Sequence, residues 1–329
     1  MDLSRKKILI TGAGGFIGSH LTERLVRLGG RVRVFLRYNS RNDRGQLEFI
    51  DERLKNKIEY FSGDLKDSEA VRRAVKGCDV VFHLGAIIAI PYSYVNPLDF
   101  VQTNVIGTAN VLNASLEYRP KKIIITSTSE VYGTALYTPI DEKHPLQGQS
   151  PYSASKIAAD KLSESYYNSF KLAIAVIRPF NTYGPRQSAR AIVPTIIKQL
   201  LKGRQVRLGS LFPTRDMNFV GDIVDGFVKI AEVDGSRGEV INIGSGREIS
   251  IGDLARKIAL LLDKKISIIK EPVRVRPDLS EVGQLLADNS KAKEILKWEP
   301  NTPLDKGLKI TIEWMKRNLW KFKPGEYDI

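Results

Sequence analysis

Apolar residues fall into short β-branched runs from residue 6 onward: "KILITG", "RVRVFL", "IEYFSGD", "DVVFHLGA", "KIIITS" and "LAIAVIRP". Gly, Asp or Pro bounds the runs, and the intervals between them are long enough for crossover helices. That alternation predicts an α/β fold with a parallel, doubly wound sheet across the first half of the chain. After Pro179 the rhythm loosens into loops around "NTYGPRQSA" and "GSLFPTRDM", with helices predicted near 191–202, 221–232, 250–262 and 304–318. The segment "GEVINIG", 238–244, reads as one more buried strand, able to return to the main sheet.

Two further segments, "NPLDFVQTNVIGTANVLNASLEY" and "SPYSASKIAADKLSESYYNSF", read as long helices with apolar and aromatic residues on more than one face. A single sheet contact uses only one face, so the surplus predicts pairing with a second copy across a two-fold axis, a homodimer closed by a four-helix bundle.

A chain of 329 residues with 42% hydrophobic content can bury a large core. The formal charge of +14 admits nucleic acid, an acidic membrane surface or an anionic substrate as partners. Its Lys and Arg are scattered through segments such as "EYRPKK" and "MKRNLWKFK", which read as solvated faces, and no long basic cluster with interleaved aromatics predicts a nucleic-acid partner. The single cysteine, Cys78, excludes a disulfide framework within the chain and a cysteine-based metal site, and its place before a strand predicts a small buried thiol. No run reaches the length needed to span a bilayer, and no signal-type segment precedes the first strand, so the expectation is a cytoplasmic protein with no membrane partner.

Candidate chemistry begins with "ILITGAGGFIGSHLTERL", where Gly12, Gly14, Gly15 and Gly18 run from the first strand into an amphipathic helix. Glycines there permit a tight turn and close backbone approach to a pyrophosphate, and the helix N-terminus attracts the anion. The fold class sharpens to a Rossmann-type doubly wound sheet in residues 1–180, also receiving about 219–244. A smaller α/β C-terminal substrate domain is built from 181–218 and 245–329. At the end of the second strand, where an acid would accept from an adenosine ribose, the chain has Leu36 and Arg37, with Arg41 nearby. That tilts the cofactor toward NADP over NAD, although Arg37 is equally able to stack on adenine or face solvent. Asp64 in "SGDL" is placed either to touch adenine or to cap the following turn.

In "SPYSASKIAADKL", Tyr152 and Lys156 stand four apart on a helix, on one face. An ammonium beside a phenol favours the phenolate, which would bring Tyr152 below its usual pKa of about 10 and make it a base. An ordinary amphipathic helix with an exposed lysine has the same spacing.

"GAGGFIG", "HLGA", "NVIGTANVL", "STSEVYG", "PYSASK" and "RPFNTYGPRQ" occur in order, and together they resemble the extended short-chain dehydrogenase/reductases that act on nucleotide sugars. "STSEVYGTALYTPIDEKHPLQGQSPYSASKIAADKL" and "RPDLSEVGQLLADNSKAKEILKWEP" look closest to the N-acetylglucosamine nucleotide 4,6-dehydratases of legionaminic acid pathways. The resemblance implies Tyr152 and Lys156 as the catalytic pair, with Thr128 bonded to the sugar 4-hydroxyl. It implies a tightly held NAD or NADP, regenerated in each turnover, on Gly12, Gly15, Phe16, Ile17, Gly18, Arg37, Asp64, Leu65, Leu84, Ala86, Asn104, Tyr152 and Lys156. Asn181, Arg215 and Arg276 would grip the sugar and its diphosphate, and a planar guanidinium fork suits phosphate oxygens independently.

The implied activity oxidises C4 of an NDP-N-acetylglucosamine, with GDP or UDP as the nucleotide, eliminates water across C5 and C6, and returns the hydride to C6. Glu130 is the candidate base at C5. The dehydratases acting on dTDP-glucose usually carry an Asp before this Glu as the acid, whereas this chain has Ser129, a poor proton donor. Glu130 then serves both transfers, or a water or another side chain helps, or no water is lost. The last case keeps a 4-epimerase, then a UDP-glucuronate decarboxylase, as alternatives. A non-catalytic dinucleotide-binding or nucleic-acid-binding protein on the same fold is the reading from a different class.

Overall fold

The computed structural model describes residues 1–275 and 277–321. Six strands, β1 (Lys7–Thr11), β2 (Arg31–Leu36), β3 (Glu59–Ser62), β4 (Val80–His83), β5 (Lys122–Thr126) and β6 (Ile174–Pro179), join Val240–Ile243 in one seven-stranded sheet. Every neighbouring pair is parallel, and the order runs β3-β2-β1-β4-β5-β6 and then Val240–Ile243. The winding reverses between β1 and β4, which opens a crevice at their C-terminal ends, where open α/β sheets bind ligands.

Alternate residues of the strands feed two cores, because side chains alternate across a sheet. Ile8, Ile10, Val32, Val34 and Phe82 pack on the face covered by the Phe16–Arg27 and Val220–Glu232 helices, while Leu9, Val81, Ile123 and Ile125 face Val71, Val111 and Leu112. A third core lies in the C-terminal half, where the Ile192–Lys202, Ile251–Leu261 and Leu304–Arg317 helices close over the paired strands Gln205–Leu208 and Ser267–Lys270. The helices predicted in that half fall within a residue or so of these bounds. Cys78 is the small buried thiol expected, its pKa pushed up to about 11 by burial.

Two expectations change. The segment beginning at Asn96 is not one uniform helix: Pro97–Phe100 is α-helical, Val101–Ile106 forms a wide π turn, and Gly107–Tyr118 resumes the α-helix. The π turn carries Asn104, and such turns often mark functional positions. The solvated-face reading of "EYRPKK" fails at Lys122, which starts β5, is fully buried, and donates to the Val233 carbonyl at 3.1 Å and to Ser236 Oγ at 2.6 Å. Those acceptors lie at and beyond the end of the Val220–Glu232 helix, where Ser236 Oγ also donates to the Ile230 carbonyl at 2.7 Å, so the ammonium joins a hydrogen-bonded helix end. Among the described residues no helix is long and apolar enough to cross a membrane, and no cluster of His, Cys, Asp and Glu forms a metal site.

Candidate active site

The glycine loop leaves β1 at Gly12, whose φ of +70° is the left-handed conformation that glycine tolerates. A Cβ at Gly12 would stand 2.7 Å from Gly85 N, and one at Gly18 would stand 2.3 Å from the Gly12 carbonyl oxygen. These two glycines let β1, the loop after β4 and the first turn of the Phe16–Arg27 helix approach one another. That helix starts from Gly15 with no capping side chain and no acid in its first turn. Its positive end, with Phe16 and Ile17 leading, fits a pyrophosphate. Beside it lies a cavity of about 280 Å³ lined by Gly12, Gly15, Arg37, Asp64, Leu65 and Ala86, together with Gly14, Phe35, Leu36, Gly63, Lys66, Gly85, Ile87 and Thr103. Leu84 packs beneath it against the core. The residues present therefore fit the phosphate and adenosine portion of a dinucleotide.

Arg37 is largely exposed, and its Nε lies 3.8 Å from the Asp64 carboxylate. Asp64 also accepts from the Lys66 N–H at 2.9 Å, so it braces its turn while facing the cavity. Of the two alternatives read for Asp64 from sequence, the turn cap is present, and the same residue lines the cavity.

Tyr152 reaches the other end of the crevice because its helix starts sharply. Ser150 Oγ accepts the Ser153 N–H, Ser153 Oγ accepts the Ser150 N–H, and Pro151 fixes the first turn of Pro151–Phe170. Tyr152 is buried, with the Thr128 side chain beside its hydroxyl. Thr128 itself caps the short Ser129–Tyr132 turn by accepting the Glu130 N–H at 3.2 Å. Thr128 and Glu130 are half-buried, whereas Ser129 between them is 3% exposed. The structure thus brings Thr128, Glu130, Tyr152 and Lys156 together at the ends of β5 and the helix.

The electrostatics correct the expectation of a depressed phenol. Burial raises the Tyr152 pKa, and the charges of Glu130 and Asp160 add to it, against a lowering by the Thr128 hydrogen bond. Lys156 is also buried, which lowers its pKa, and its ammonium donates to the Thr126 carbonyl at 2.6 Å. Spacing alone placed the two groups on one face, but removal of both from water outweighs their mutual attraction.

A buried polar chain, unforeseen in the sequence, links the cofactor crevice to the catalytic helix. Gly85 N–H donates to Thr11 Oγ1 at 3.0 Å, Thr11 Oγ1 lies 2.8 Å from His83 Nδ1, and His83 Nε2 lies 3.0 Å from Thr108 Oγ1. Thr108 gives its own proton to the Asn104 carbonyl at 2.6 Å. Donor counting places a proton on Nε2, and burial, which pushes the His83 pKa down to about 3, keeps the imidazole neutral with Nδ1 accepting from Thr11. Asn104 continues the chain: its Oδ1 accepts Ile87 N–H at 2.8 Å, and its Nδ2 donates to Ile87 O at 3.0 Å and Ser155 Oγ at 2.9 Å. "HLGA" held His83 and Gly85 in view, but only the fold reveals that β1 and the Gly107–Tyr118 helix supply their partners, Thr11 and Thr108.

On the substrate side, Asn181 follows β6, and its Oδ1 is buried with no hydrogen-bond partner among the described residues. An enclosed acceptor of this kind suits a ligand or a water. Arg215 lies in the Thr214–Asp216 strand, nearly buried, donating to the Thr214 carbonyl at 2.9 Å and 3.6 Å from the Glu281 carboxylate. Its guanidinium therefore engages protein groups of its own strand and of the segment before Gln284. Arg276 lies outside the described residues.

Comparison with known proteins supplies the wider frame. Residues 9–311 match the GDP-mannose 4,6 dehydratase family. The chain is 31% identical to the dTDP-D-glucose 4,6-dehydratase of Bos taurus, covering 99% of this chain and 93% of that protein. It is 33% identical to the UDP-N-acetyl-alpha-D-glucosaminuronate decarboxylase of Bacillus cytotoxicus, over 95% of this chain and 98% of that one. Among solved structures, the dTDP-glucose 4,6-dehydratase DesIV of Streptomyces venezuelae, with NAD and TYD bound, superimposes with a TM-score of 0.86 at 25% identity, covering 96% of this chain and 98% of that one. The glycine crevice, the Tyr152 and Lys156 helix and a family match across nearly the whole length lead to one statement: this chain belongs to the GDP-mannose 4,6-dehydratase family, among the nucleotide-sugar enzymes of the short-chain dehydrogenase/reductase type.

Proposed function

We propose that the protein is a nucleotide-sugar 4,6-dehydratase acting on an N-acetylglucosamine linked to UDP or GDP. The observation that carries this reading is Glu130, a half-buried carboxylate on the same turn as Thr128 and within electrostatic reach of Tyr152. A 4-epimerase has no step that needs a base at C5. The N-acetylglucosamine is supported by the resemblance of the 127–162 and 276–300 segments alone.

When bound, the nicotinamide dinucleotide supplies the hydride acceptor for C4 and the hydride donor for C6. Thr128 holds the 4-hydroxyl, and Tyr152 takes its proton as the C4–H bond breaks. The ketone acidifies C5, Glu130 removes that proton, and the C6–O bond breaks with the hydroxyl leaving as water. Of the two protons lifted, one departs in the water and the other returns to C5. Lys156 is the cation that offsets the charge on a Tyr152 phenolate in this buried setting. Ser129 takes no part in proton transfer, so Glu130 serves as base and then as acid.

Incubation with UDP-N-acetylglucosamine and GDP-N-acetylglucosamine, read by product mass, tests the reading through a loss of about 18 mass units. Glu130→Gln should lower kcat by roughly 10²–10⁴-fold, while Ser129→Ala stays close to wild type. An unchanged mass with a new stereoisomer would establish an epimerase. A decarboxylase is the second reading, favoured by the weak acid Ser129, and it would act instead on a nucleotide-linked uronic acid with loss of carbon dioxide.

The remaining assignments belong to the same proposal. Arg37 at the cavity rim favours the 2′-phosphate of NADP, which release and chromatography of the bound nucleotide would decide. Exposed Leu98, Val101, Ile106 and Phe170 on the two long helical segments support a homodimer through a four-helix bundle. The division into a dinucleotide unit, 1–180 with about 219–244, and a substrate unit, 181–218 with 245–329, follows the same logic. The cytoplasmic assignment belongs to the same proposal.

A further inference from the structure

We propose that Asp160 is a positioning residue for this reaction: one turn beyond Lys156, it holds the lysine ammonium and the end of β5 in register beneath Tyr152. The kinetic arm of its test rests on the dehydratase reading, and the spectroscopic arm does not.

Tyr152, Lys156 and Asp160 follow at four-residue intervals and share one face of the helix. The Asp160 and Arg178 side chains are each 4% exposed and pair at 2.9 Å. Asp160 Oδ2 accepts from Ser127 Oγ at 2.7 Å and from Arg178 Nε and Nη2 at 3.2 and 2.9 Å. Its Oδ1 is equally enclosed and has no hydrogen-bond partner among the described residues. An arginine and carboxylate that served only each other would form a two-pronged fork. Here Arg178 sends Nη1 to Tyr132 Oη at 2.9 Å, and that hydroxyl donates to Asn242 on the last strand at 2.7 Å. The carboxylate is thus locked by one oxygen, and its charge stays available to neighbours in a low-dielectric interior.

Lys156, one turn earlier on the same helix face, is the buried cation beside it in sequence. Its ammonium grips Thr126 O while Asp160 grips Ser127 Oγ, so the two charges clasp consecutive residues of the segment leading into Thr128. The charged or titratable groups around the pair are Tyr152 on the same helix, His83 from β4, Glu130 from the turn after β5, and Arg178 from β6. Burial pulls the Lys156 pKa down and Asp160 holds it up; the same negative charge also raises Tyr152.

Asp160→Asn alone would strand a buried guanidinium and can unfold the chain, so the test uses Asp160→Asn with Arg178→Gln. In protein labelled with ¹³Cε-lysine, without substrate, the Lys156 resonance is assigned by its loss in Lys156→Arg and followed against pH. Lys156 should titrate lower in the double variant by roughly half a pH unit or more, since it has lost its anion. In kinetics both limbs of the kcat/KM profile should slide to lower pH, because the Asp160 charge acts on both Tyr152 and Lys156 whereas the Arg178 charge removed with it acts on neither. A residue that merely braces the fold would reduce the rate and leave the limbs in place. A folded double variant whose Lys156 titration matches wild type overturns the proposal. Should wild type turn over no nucleotide sugar, the dehydratase reading falls, and the lysine titration still decides the role of Asp160.

Discussion

His83 offers a quantitative test of the buried polar chain. Its imidazole is fully enclosed, accepting from Thr11 and donating to Thr108, and its pKa is pushed down to about 3 by burial, with the Lys156 charge adding to the effect. The unfolded chain binds that proton near the ordinary value of 6.5, so below pH 6.5 the unfolded state holds more protons than the folded one. Stability from this group is therefore complete above pH 6.5 and is lost as pH falls toward 3, at up to about 1.4 kcal/mol per pH unit and about 5 kcal/mol in all. His20, pushed down to about 4, and the carboxylates contribute their own acid dependence, so the informative quantity is a difference. Urea unfolding of nucleotide-free wild type and His83→Gln should be compared from pH 7.5 to 4.5. The variant should be less stable at pH 7.5, by about 1–3 kcal/mol for a disrupted buried hydrogen-bond pair. That deficit should shrink by about 2.7 kcal/mol on reaching pH 4.5, because glutamine carries no proton penalty. A deficit that stays constant over this range would refute the assignment of a neutral, doubly bonded His83.

The same logic with a different ion applies to Lys122, whose pKa is pushed down to about 8, chiefly by burial. Between pH 8 and 10.5 the unfolded chain holds the extra proton, so wild type should gain stability relative to Lys122→Met across that window, and parallel curves in denaturant melts would contradict it. Gly12→Ala combines a left-handed φ with a Cβ 2.7 Å from Gly85 N; it should cost about 1–3 kcal/mol in thermal melts. It should also weaken dinucleotide binding by roughly tenfold or more in a calorimetric titration, and an unchanged melt with unchanged affinity would remove the close-approach argument.

What the sequence made legible follows from which forces are local. Runs such as "KILITG" and "KIIITS" are apolar on both faces because helices cover both sides of the sheet, so β1 and β5 could be drawn from composition and bounding residues. Gly12 and Gly18 were legible because a steric requirement admits one residue type. Lys122 was not: a lysine beside Lys121 in a polar segment looks solvated until Val233 and Ser236, more than a hundred positions away, are folded over it. Arg178 carried a usable signal, since a guanidinium at the end of an apolar strand has to find a counter-ion, and Asp160 stood in the quoted helix at the spacing that supplies one.

The Tyr152 and Lys156 pair shows where local spacing stops being informative. A four-residue interval correctly sets two side chains on one face, but the sign of a pKa shift depends on what surrounds that face. On an exposed helix the ammonium would win and the phenol would be acidified. Here the helix is pressed against β6 and the Ser129–Tyr132 turn, water is excluded, and two carboxylates, Glu130 and Asp160, stand nearer in effect than the lysine whose ammonium is held by Thr126 O. A resting phenol follows, protonated at neutral pH, with the Thr128 side chain beside it. In the proposed reaction ionisation of Tyr152 becomes favourable when a bound oxidised dinucleotide brings positive charge into the crevice or when Lys156 is freed from the strand carbonyl, so the resting state of the phenol is set by its surroundings and not by its four-residue spacing from the lysine.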